Sequence, residues 1–198
     1  MSAIATPPTS VAPPRVTPDD LLRMGSDGKR YELVNGKLEE LNVSFLSSYV
    51  AGEVCDALKG FVKPRGLGWV SPEGVSFQCF PDDPGKVRRA DTSFIALDRL
   101  TPNQATTVGH VRIHPDLVVE VISPNDYAKT INQKIEEWLR AGVKLVWVID
   151  PDSKVVFCHE PTAVATRRET DTLTGDPVLP GFAIPVADLF RLAGPVGV

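Results

Sequence analysis

The chain has 198 residues, of which 42% are hydrophobic and 23% are charged, and its formal net charge is −4. This length fits one domain with its own core, and the composition excludes a wholly disordered or fibrous protein. The lack of an apolar run of roughly 20 residues argues against a membrane span and for a cytoplasmic location, and the net charge argues against a broadly basic nucleic-acid coat.

The N-terminal segment is predicted to be a tail followed by a short helix. Residues 1–16 are rich in Pro, Ser, Thr and Ala and show no periodicity, which is typical of a disordered segment. We expect a single domain over 17–198. Its first helix is predicted to begin at Thr17, where Thr-Pro-Asp-Asp supplies an N-cap, a proline at the first helical position and acidic residues in the first turn. That helix is expected to end at about Met24.

A β-hairpin is predicted next. Asn35-Gly36 lies between the strand-like segments 30–34 and 37–41. Both residues of this dipeptide tolerate a positive φ, as a type I′ turn requires. The sequence therefore predicts a two-stranded antiparallel unit before the first long helix.

The rest of the chain alternates helices and strands. Apolar residues at helical spacing predict a helix over 47–62, which Pro64 and Gly66 should end. Strands are predicted over 68–80, 87–97, 117–122, 144–149 and 154–159, and helices over 125–141 and 186–192. The first two of these strands are expected to pair antiparallel. Strand 117–122, the helix after it and strand 144–149 form a βαβ unit, whose two strands run parallel. The order of elements therefore predicts an α/β fold.

Glu120 is the most informative single residue. It lies within the nearly apolar run Leu117–Ile122, and an ionised carboxylate in such a strand is costly unless a metal ion or a cation compensates its charge. The alternation of side chains along a strand places it on the same face as Val118. A purely structural ion pair with a nearby basic residue is the alternative interpretation.

Lys134 is predicted to point from the next helix toward the sheet. At about 100° per residue it falls inside the apolar stripe of that helix, which is formed by Tyr127, Ile131, Ile135 and Trp138. Its ammonium is therefore a plausible partner of Glu120. The alternative is a lysine at the edge of the helix that extends its ammonium into solvent.

Two further acids, Asp91 and Glu32, are weaker candidates. Asp91 follows the basic residues Lys86, Arg88 and Arg89, and an acid just inside a basic entry suits a metal site that a phosphate approaches. Surface strands also commonly begin with such charges. Glu32 lies in the predicted hairpin, where a solvent-facing carboxylate is as good an interpretation as a functional one.

Several short motifs occur in one order along the chain. They are Arg30-Tyr-Glu-Leu-Val-Asn-Gly36, Arg89-Ala-Asp-Thr-Ser-Phe94, Pro115-Asp-Leu-Val-Val-Glu-Val-Ile-Ser-Pro124, Lys134 with Ala141-Gly-Val143, Val146-Trp-Val-Ile-Asp-Pro151 and Leu179-Pro-Gly-Phe182. This series resembles the Uma-two family of proposed restriction endonucleases, within the PD-(D/E)XK nuclease superfamily. The resemblance runs from about Thr17 to Leu192. It implies a restriction-endonuclease-like α/β fold, in which helices flank a mixed β-sheet, with extra N-terminal and C-terminal β-hairpins.

The resemblance also implies a function and a site. It implies an endonuclease that cuts DNA and uses Mg²⁺, with Mn²⁺ as a substitute. Asp91 and Glu120 take the place of the metal ligands, with Glu32 as a further acid near the metal. Lys134 takes the place of the lysine that positions the attacking water or stabilises charge on the phosphate. The superfamily's usual lysine, two residues after the Glu, is absent because Ile122 stands there.

Two further departures from the family pattern are visible, and they leave other functions open. Ala90 stands where a proline usually precedes the Asp, and Ser47-Ser-Tyr49 lacks an expected histidine. The main alternative is a catalytically inactive nuclease-fold protein that acts as a DNA-binding or protein-interaction module. A third interpretation is a structural scaffold in which Glu120 and Lys134 are only an internal ion pair. DNA is the expected partner, a membrane is not, and a homodimer is left open.

Overall fold

The computed structural model of the protein describes residues 15–24, 30–41 and 43–192. Most of the predicted tail, residues 1–14, lies outside the described residues. Val16 is described, and its backbone N–H donates to the Gly36 carbonyl of the hairpin at 3.2 Å. Within the described residues, no helix has the length and apolar character needed to cross a membrane.

The described residues form short helices and strands around two longer helices. In chain order the elements are α1 (Pro18–Arg23), β1 (Tyr31–Val34), β2 (Lys37–Glu40), α2 (Phe45–Arg65), β3 (Gly68–Pro72), β4 (Ser76–Phe77), β5 (Arg88–Arg89), β6 (Thr92–Ala96), α3 (Pro102–Ala105), β7 (Leu117–Val121), α4 (Ala128–Arg140), β8 (Leu145–Asp150), β9 (Val155–Glu160), β10 (Ala163–Arg168), β11 (Thr172–Gly175), β12 (Leu179–Pro185) and α5 (Val186–Leu189).

A six-stranded mixed sheet forms the centre of the fold. Its strand order is β10-β9-β8-β7-β6-β3, with β7 and β8 parallel and the other neighbours antiparallel. Because successive side chains of a strand point to opposite faces, β7 contributes to two cores. Leu117 and Val119 pack with α2 on one face, and Val118 packs with α4 on the other. The predicted βαβ unit and the mixed sheet between helices are confirmed.

The predicted helix cap at Thr17 and the predicted turn at Asn35-Gly36 are also confirmed. The Thr17 side chain accepts a hydrogen bond from the backbone of Asp20 at 3.2 Å, and the Asp20 carboxylate accepts one from the backbone of Thr17 at 3.0 Å. Asn35 and Gly36 have φ angles of 52° and 74°, as the turn of the β1–β2 hairpin requires. A second hairpin, β11–β12, forms near the C-terminal end of the described chain.

Four predicted elements differ clearly in their bounds. The strands expected over 68–80 and 87–97 are each split in two, although their antiparallel pairing is retained as β3 with β6 and β4 with β5. The long helix continues past Pro64 into its last turn, because Gly66 in the left-handed region (φ 61°) closes that turn with its own N–H. The helix expected from residue 125 begins later because Ser123 and Asp126 first form a hydrogen-bonded turn.

A chain of buried charges fastens the β1–β2 hairpin to α4. Glu137 accepts hydrogen bonds from Lys86 Nζ at 2.6 Å and Arg88 Nε at 2.8 Å. Arg88 also donates to Glu32 of β1 at 2.7 Å. Although burial alone would raise the pKa of Glu137, the hydrogen bonds from Arg88 and Lys86 hold this pKa below its ordinary value. The hairpin that carries Glu32 is therefore fixed by charge as well as by packing.

This network predicts a large cost for neutralising Glu137. The Glu137→Gln change should lower the free energy of unfolding by about 3 kcal/mol, because it leaves two buried cations without their full countercharge. Urea denaturation measures this. The control is Glu136→Gln on the same helix, whose carboxylate pairs with Arg140 at the surface and should cost no more than about 0.5 kcal/mol. Equal losses of unfolding free energy in the two variants would contradict the role of Glu137 as the shared partner of Lys86 and Arg88.

Candidate functional site

Asp91 and Glu120 lie close together where β6 begins and β7 ends. The antiparallel register of β6 and β7 reaches Thr92, which pairs with Val119, and Asp91 is the residue immediately before β6. Asp91 donates its N–H to the Val119 carbonyl at 3.1 Å and accepts the Val121 N–H on Oδ2 at 2.6 Å. Both side chains line the same cleft. The two carboxylates therefore share one point at the end of the two strands.

Lys134 joins this pair from α4. Its Nζ lies 2.8 Å from Glu120 Oε2 and 3.0 Å from Glu32 Oε1. The side chain is 14% exposed, so the alternative in which Lys134 reaches solvent is wrong. The helical stripe did predict its direction, because α4 packs on the face of β7 that carries Val118 and Glu120.

Glu32 is buried and does not face solvent. Its Oε2 accepts a hydrogen bond from Arg88 at 2.7 Å, and its Oε1 accepts one from the Arg89 backbone N–H at 2.7 Å besides contacting Lys134. Burial would raise the pKa of Glu32, but the charges of Lys134 and Arg88 outweigh it and lower this pKa. Glu32 is therefore an ionised partner of Lys134, and its role as a metal ligand stays a prediction.

The basic entry predicted before Asp91 is wrong for two of its three residues. Lys86 and Arg88 are only 8% and 1% exposed, and both are bound to Glu137. The short β5 strand turns these charges inward beneath the hairpin, where they balance buried carboxylates and are not offered to a phosphate. Glu137 lies one turn after Lys134, and this spacing was the signal that sequence reasoning missed.

Trp138 also has a role that the sequence did not reveal. Its place in the apolar stripe of α4 fits a packing residue, and it is fully buried, but its indole Nε1 also donates to Glu120 Oε1 at 2.8 Å. Trp138 follows Lys134 by four residues, so both face the same strip of sheet. Each oxygen of Glu120 is thus held by a side chain from α4.

The site opens into an acidic cleft of about 290 Å³. The described residues that line it include many carboxylates but only two cations, Arg88 and Lys134. The acidic residues are Glu32, Glu39, Glu40, Glu73, Asp91, Glu120 and Asp126. A cleft lined mainly by one sign of charge concentrates ions of the opposite sign. The cleft is therefore suited to attract cations.

The segment that lacks the expected histidine still reaches this cleft. Ser47, near the start of α2, lies with its Oγ 2.8 Å from the Oγ of Ser123, and either hydroxyl can donate. Both serines line the cleft. The contact ties α2 to the loop between β7 and α4 and so closes one wall.

The electrostatics of the cluster differ from one carboxylate to the next. Burial raises the pKa of Glu120 to about 8, and the attraction of Lys134 offsets only part of this effect. Burial likewise raises the pKa of Asp91 to about 6 against the opposing effects of Lys134 and the Val121 N–H. Burial would lower the pKa of Lys134, but the charges of Glu120 and Glu32 outweigh it and raise this pKa. Lys134 is therefore charged. Asp91 and Glu120 together carry less negative charge than they would in water.

The donor set fits a hard divalent cation. In the described parts of the chain, no three His, Cys, Asp or Glu side chains form a ready-made metal cage. Mg²⁺ does not require one, because it is usually held by one or two carboxylates together with water and substrate phosphate. Within the described residues Asp91 Oδ1 accepts no hydrogen bond, and the ion-pair partner of Glu120 Oε2 is Lys134. Asp91 and Glu120 can therefore supply these carboxylates.

The raised pKa of Glu120 predicts a specific pH dependence of stability. In the unfolded chain this carboxyl ionises near 4.5, but in the folded protein it ionises at about 8. Between these values the folded state holds a proton that the unfolded state has lost, so stability falls as pH rises toward 8. The Glu120→Gln change removes this contribution.

Urea denaturation at pH 5 and pH 8.5 tests the expected difference. The stability of the wild type relative to Glu120→Gln should fall by at least about 1 kcal/mol between the two pH values. The exposed Glu136→Gln control should show no such trend. If the stability difference between the wild type and Glu120→Gln stays constant, or grows in favour of the wild type at pH 8.5, the raised pKa of Glu120 is contradicted.

Comparison with known proteins gives the family and the fold. The structure is similar to a crystal structure described as that of "a putative nuclease belonging to DUF820 from Anabaena variabilis ATCC 29413", with a TM-score of 0.73, 21% sequence identity, and coverage of 88% of this chain and 97% of that chain. This similarity confirms the predicted nuclease fold, and no curated protein matches the chain significantly. The family model Uma2, described as "Putative restriction endonuclease", matches residues 18–187, and the chain therefore belongs to the Uma2 family.

Proposed function

We propose that the protein is a metal-dependent endonuclease that hydrolyses phosphodiester bonds of DNA, with Mg²⁺ as its cofactor and Mn²⁺ as a substitute. Its membership of the Uma2 family and its fold support a nuclease of the restriction-endonuclease type. The observation that carries the finer proposal is the meeting of Asp91, Glu120 and Lys134 at one point of an acidic cleft. These are the groups that phosphodiester hydrolysis with a divalent cation requires.

Asp91 and Glu120 are the proposed ligands of the ion. Bound there, Mg²⁺ would supply a water of lowered pKa and positive charge beside the scissile phosphate. Glu120 lies in β7, and Asp91 is tied to the same strand by hydrogen bonds with Val119 and Val121. The backbone therefore fixes the distance between the two carboxylates. Such placement on rigid elements keeps reacting groups aligned without further ordering.

Lys134 is proposed to stabilise the negative charge that develops on the phosphate. Its ammonium is held between Glu120 and Glu32. Because the side chain is only 14% exposed, a fixed positive charge there acts more strongly than in solution. Glu32 is in turn fixed by Arg88 and by the Arg89 backbone N–H. Glu32 is therefore proposed to keep the ammonium in place beside the ion.

The acidic cleft also suggests an order of binding. The cleft lining repels a phosphate, because Lys134 and Arg88 balance only part of its negative charge, and Arg88 is already bound to three carboxylates. A divalent cation reduces this repulsion when it enters first. We therefore expect the ion to bind before the DNA phosphate.

Nicking of supercoiled plasmid DNA tests the proposal. The wild type should nick the plasmid with Mg²⁺ or Mn²⁺ and stop when EDTA is added. Asp91→Asn and Glu120→Gln should each lower the rate at least about 100-fold, because each removes a charged ligand from the reacting centre. Asp98→Asn is the matched control, since Asp98 lies exposed just beyond the other end of β6.

Two results of this assay would count against the proposal. Activity that survives both Asp91→Asn and Glu120→Gln would remove this site from the chemistry. A wild type that neither nicks DNA nor binds Mn²⁺ through these carboxylates would favour the alternative, a catalytically inactive member of the fold that serves as a binding module.

A further inference from the structure

Glu120 is held from two sides by one helix. Lys134 contacts Oε2 at 2.8 Å, and Trp138 donates its indole N–H to Oε1 at 2.8 Å. The two contacts differ in kind. The ammonium carries charge, whereas the indole N–H is neutral and can only donate. The indole can therefore orient the carboxylate without adding a full positive charge that would repel a bound cation.

The indole of Trp138 cannot easily turn away from this contact. Its ring is fully buried. Phe77 packs edge to face against it, with centroids 5.8 Å apart and an interplanar angle of 82°, and Phe80 lies 5.1 Å away at 48°. Since the two phenyl rings fix the plane of the indole, they also fix the direction of the N–H. The donor is therefore placed in advance of any ligand.

Trp147 provides a comparison within the same molecule. This residue of β8 is also fully buried, on the opposite face of the sheet. Its Nε1 has no hydrogen-bond partner in the described part of the chain. An indole N–H is thus tolerated in this core without an acceptor, and burial alone does not explain why the N–H of Trp138 meets a carboxylate of the site.

We propose that Trp138 is a positioning residue of the cation site: its N–H holds Glu120 Oε1, so that Oε2 stays turned toward Lys134 and the cleft. This inference rests on the proposed function, because it assumes that Glu120 is a ligand. A carboxylate that is already oriented loses less freedom when an ion binds. Removing a partner that orients a metal ligand typically weakens metal binding about 10- to 100-fold.

The direct test is a Mn²⁺ titration of the full chain, in which electron paramagnetic resonance detects the free ion. Trp138→Phe keeps an aromatic ring but removes the N–H, and it should weaken Mn²⁺ binding at least about 10-fold. Trp147→Phe removes an N–H that has no partner, and it should leave the affinity unchanged. A thermal melt of each metal-free variant confirms that the folded state is present during the titration.

A second pair of variants separates orientation from packing. Phe77→Leu removes one of the two rings that pack against Trp138 but keeps the N–H and the Phe80 contact, so it should lower stability and weaken Mn²⁺ binding less than Trp138→Phe does. Benzothienylalanine at position 138 replaces the N–H by sulfur in a ring of nearly the same shape. It should weaken binding as Trp138→Phe does, and it serves as the test if the phenylalanine variant does not fold.

The outcomes distinguish this inference from the proposed function. A wild type that binds Mn²⁺ through Glu120, together with position 138 variants that bind it equally well, overturns the positioning role and leaves the proposed function intact. A loss of affinity in Trp138→Phe that benzothienylalanine at position 138 does not reproduce also overturns it, because the loss of packing would then explain the effect. A wild type without any Glu120-dependent Mn²⁺ binding overturns both.

Discussion

The ammonium of Lys134, held between the carboxylates of Glu120 and Glu32, is the interaction on which the site depends. Buried carboxylates from two separate elements are costly to bring together unless a cation lies between them. To supply that cation, α4 must pack over β7, and the β1–β2 hairpin must fold against the same side of the sheet. The βαβ unit achieves the first requirement, and the buried contact of Glu32 with Arg88 contributes to the second. The fold therefore places the lysine, and the lysine permits the acidic cluster.

The hairpin is thus part of the site although it lies outside the main sheet. Charges of opposite sign alternate along one path from Lys134 to Glu32, Arg88, Glu137 and Lys86. Each carboxylate on this path has a cation beside it. Asp91 and Glu120 lie beside this path, and burial leaves the pKa of both raised even with Lys134 nearby. A second positive charge at this point would relieve that cost, which is the physical reason why a divalent cation suits these two carboxylates.

The sequence predicted those features that depend on periodicity and on local turn chemistry. The positive-φ dipeptide Asn35-Gly36 predicted the hairpin, and the stripe of α4 predicted the direction of Lys134. Periodicity reports which face a side chain occupies, but it does not report which distant residue it meets. The contact of Lys86 with Glu137 joins residues 51 positions apart, so the basic cluster before Asp91 was misread as an entry for phosphate. The indole N–H of Trp138 was missed for the same reason, since its apolar ring alone explained its place in the stripe.

The central claim is that Asp91 and Glu120 together bind a divalent cation beside Lys134. A crystal soaked in Mn²⁺, with data collected to record the anomalous signal of manganese, tests it most directly. We expect a single strong anomalous peak within ligand distance of Asp91 Oδ1 and Glu120 Oε2, with the Lys134 ammonium still next to Glu120. A saturating soak that gives no peak at these two carboxylates would contradict the account.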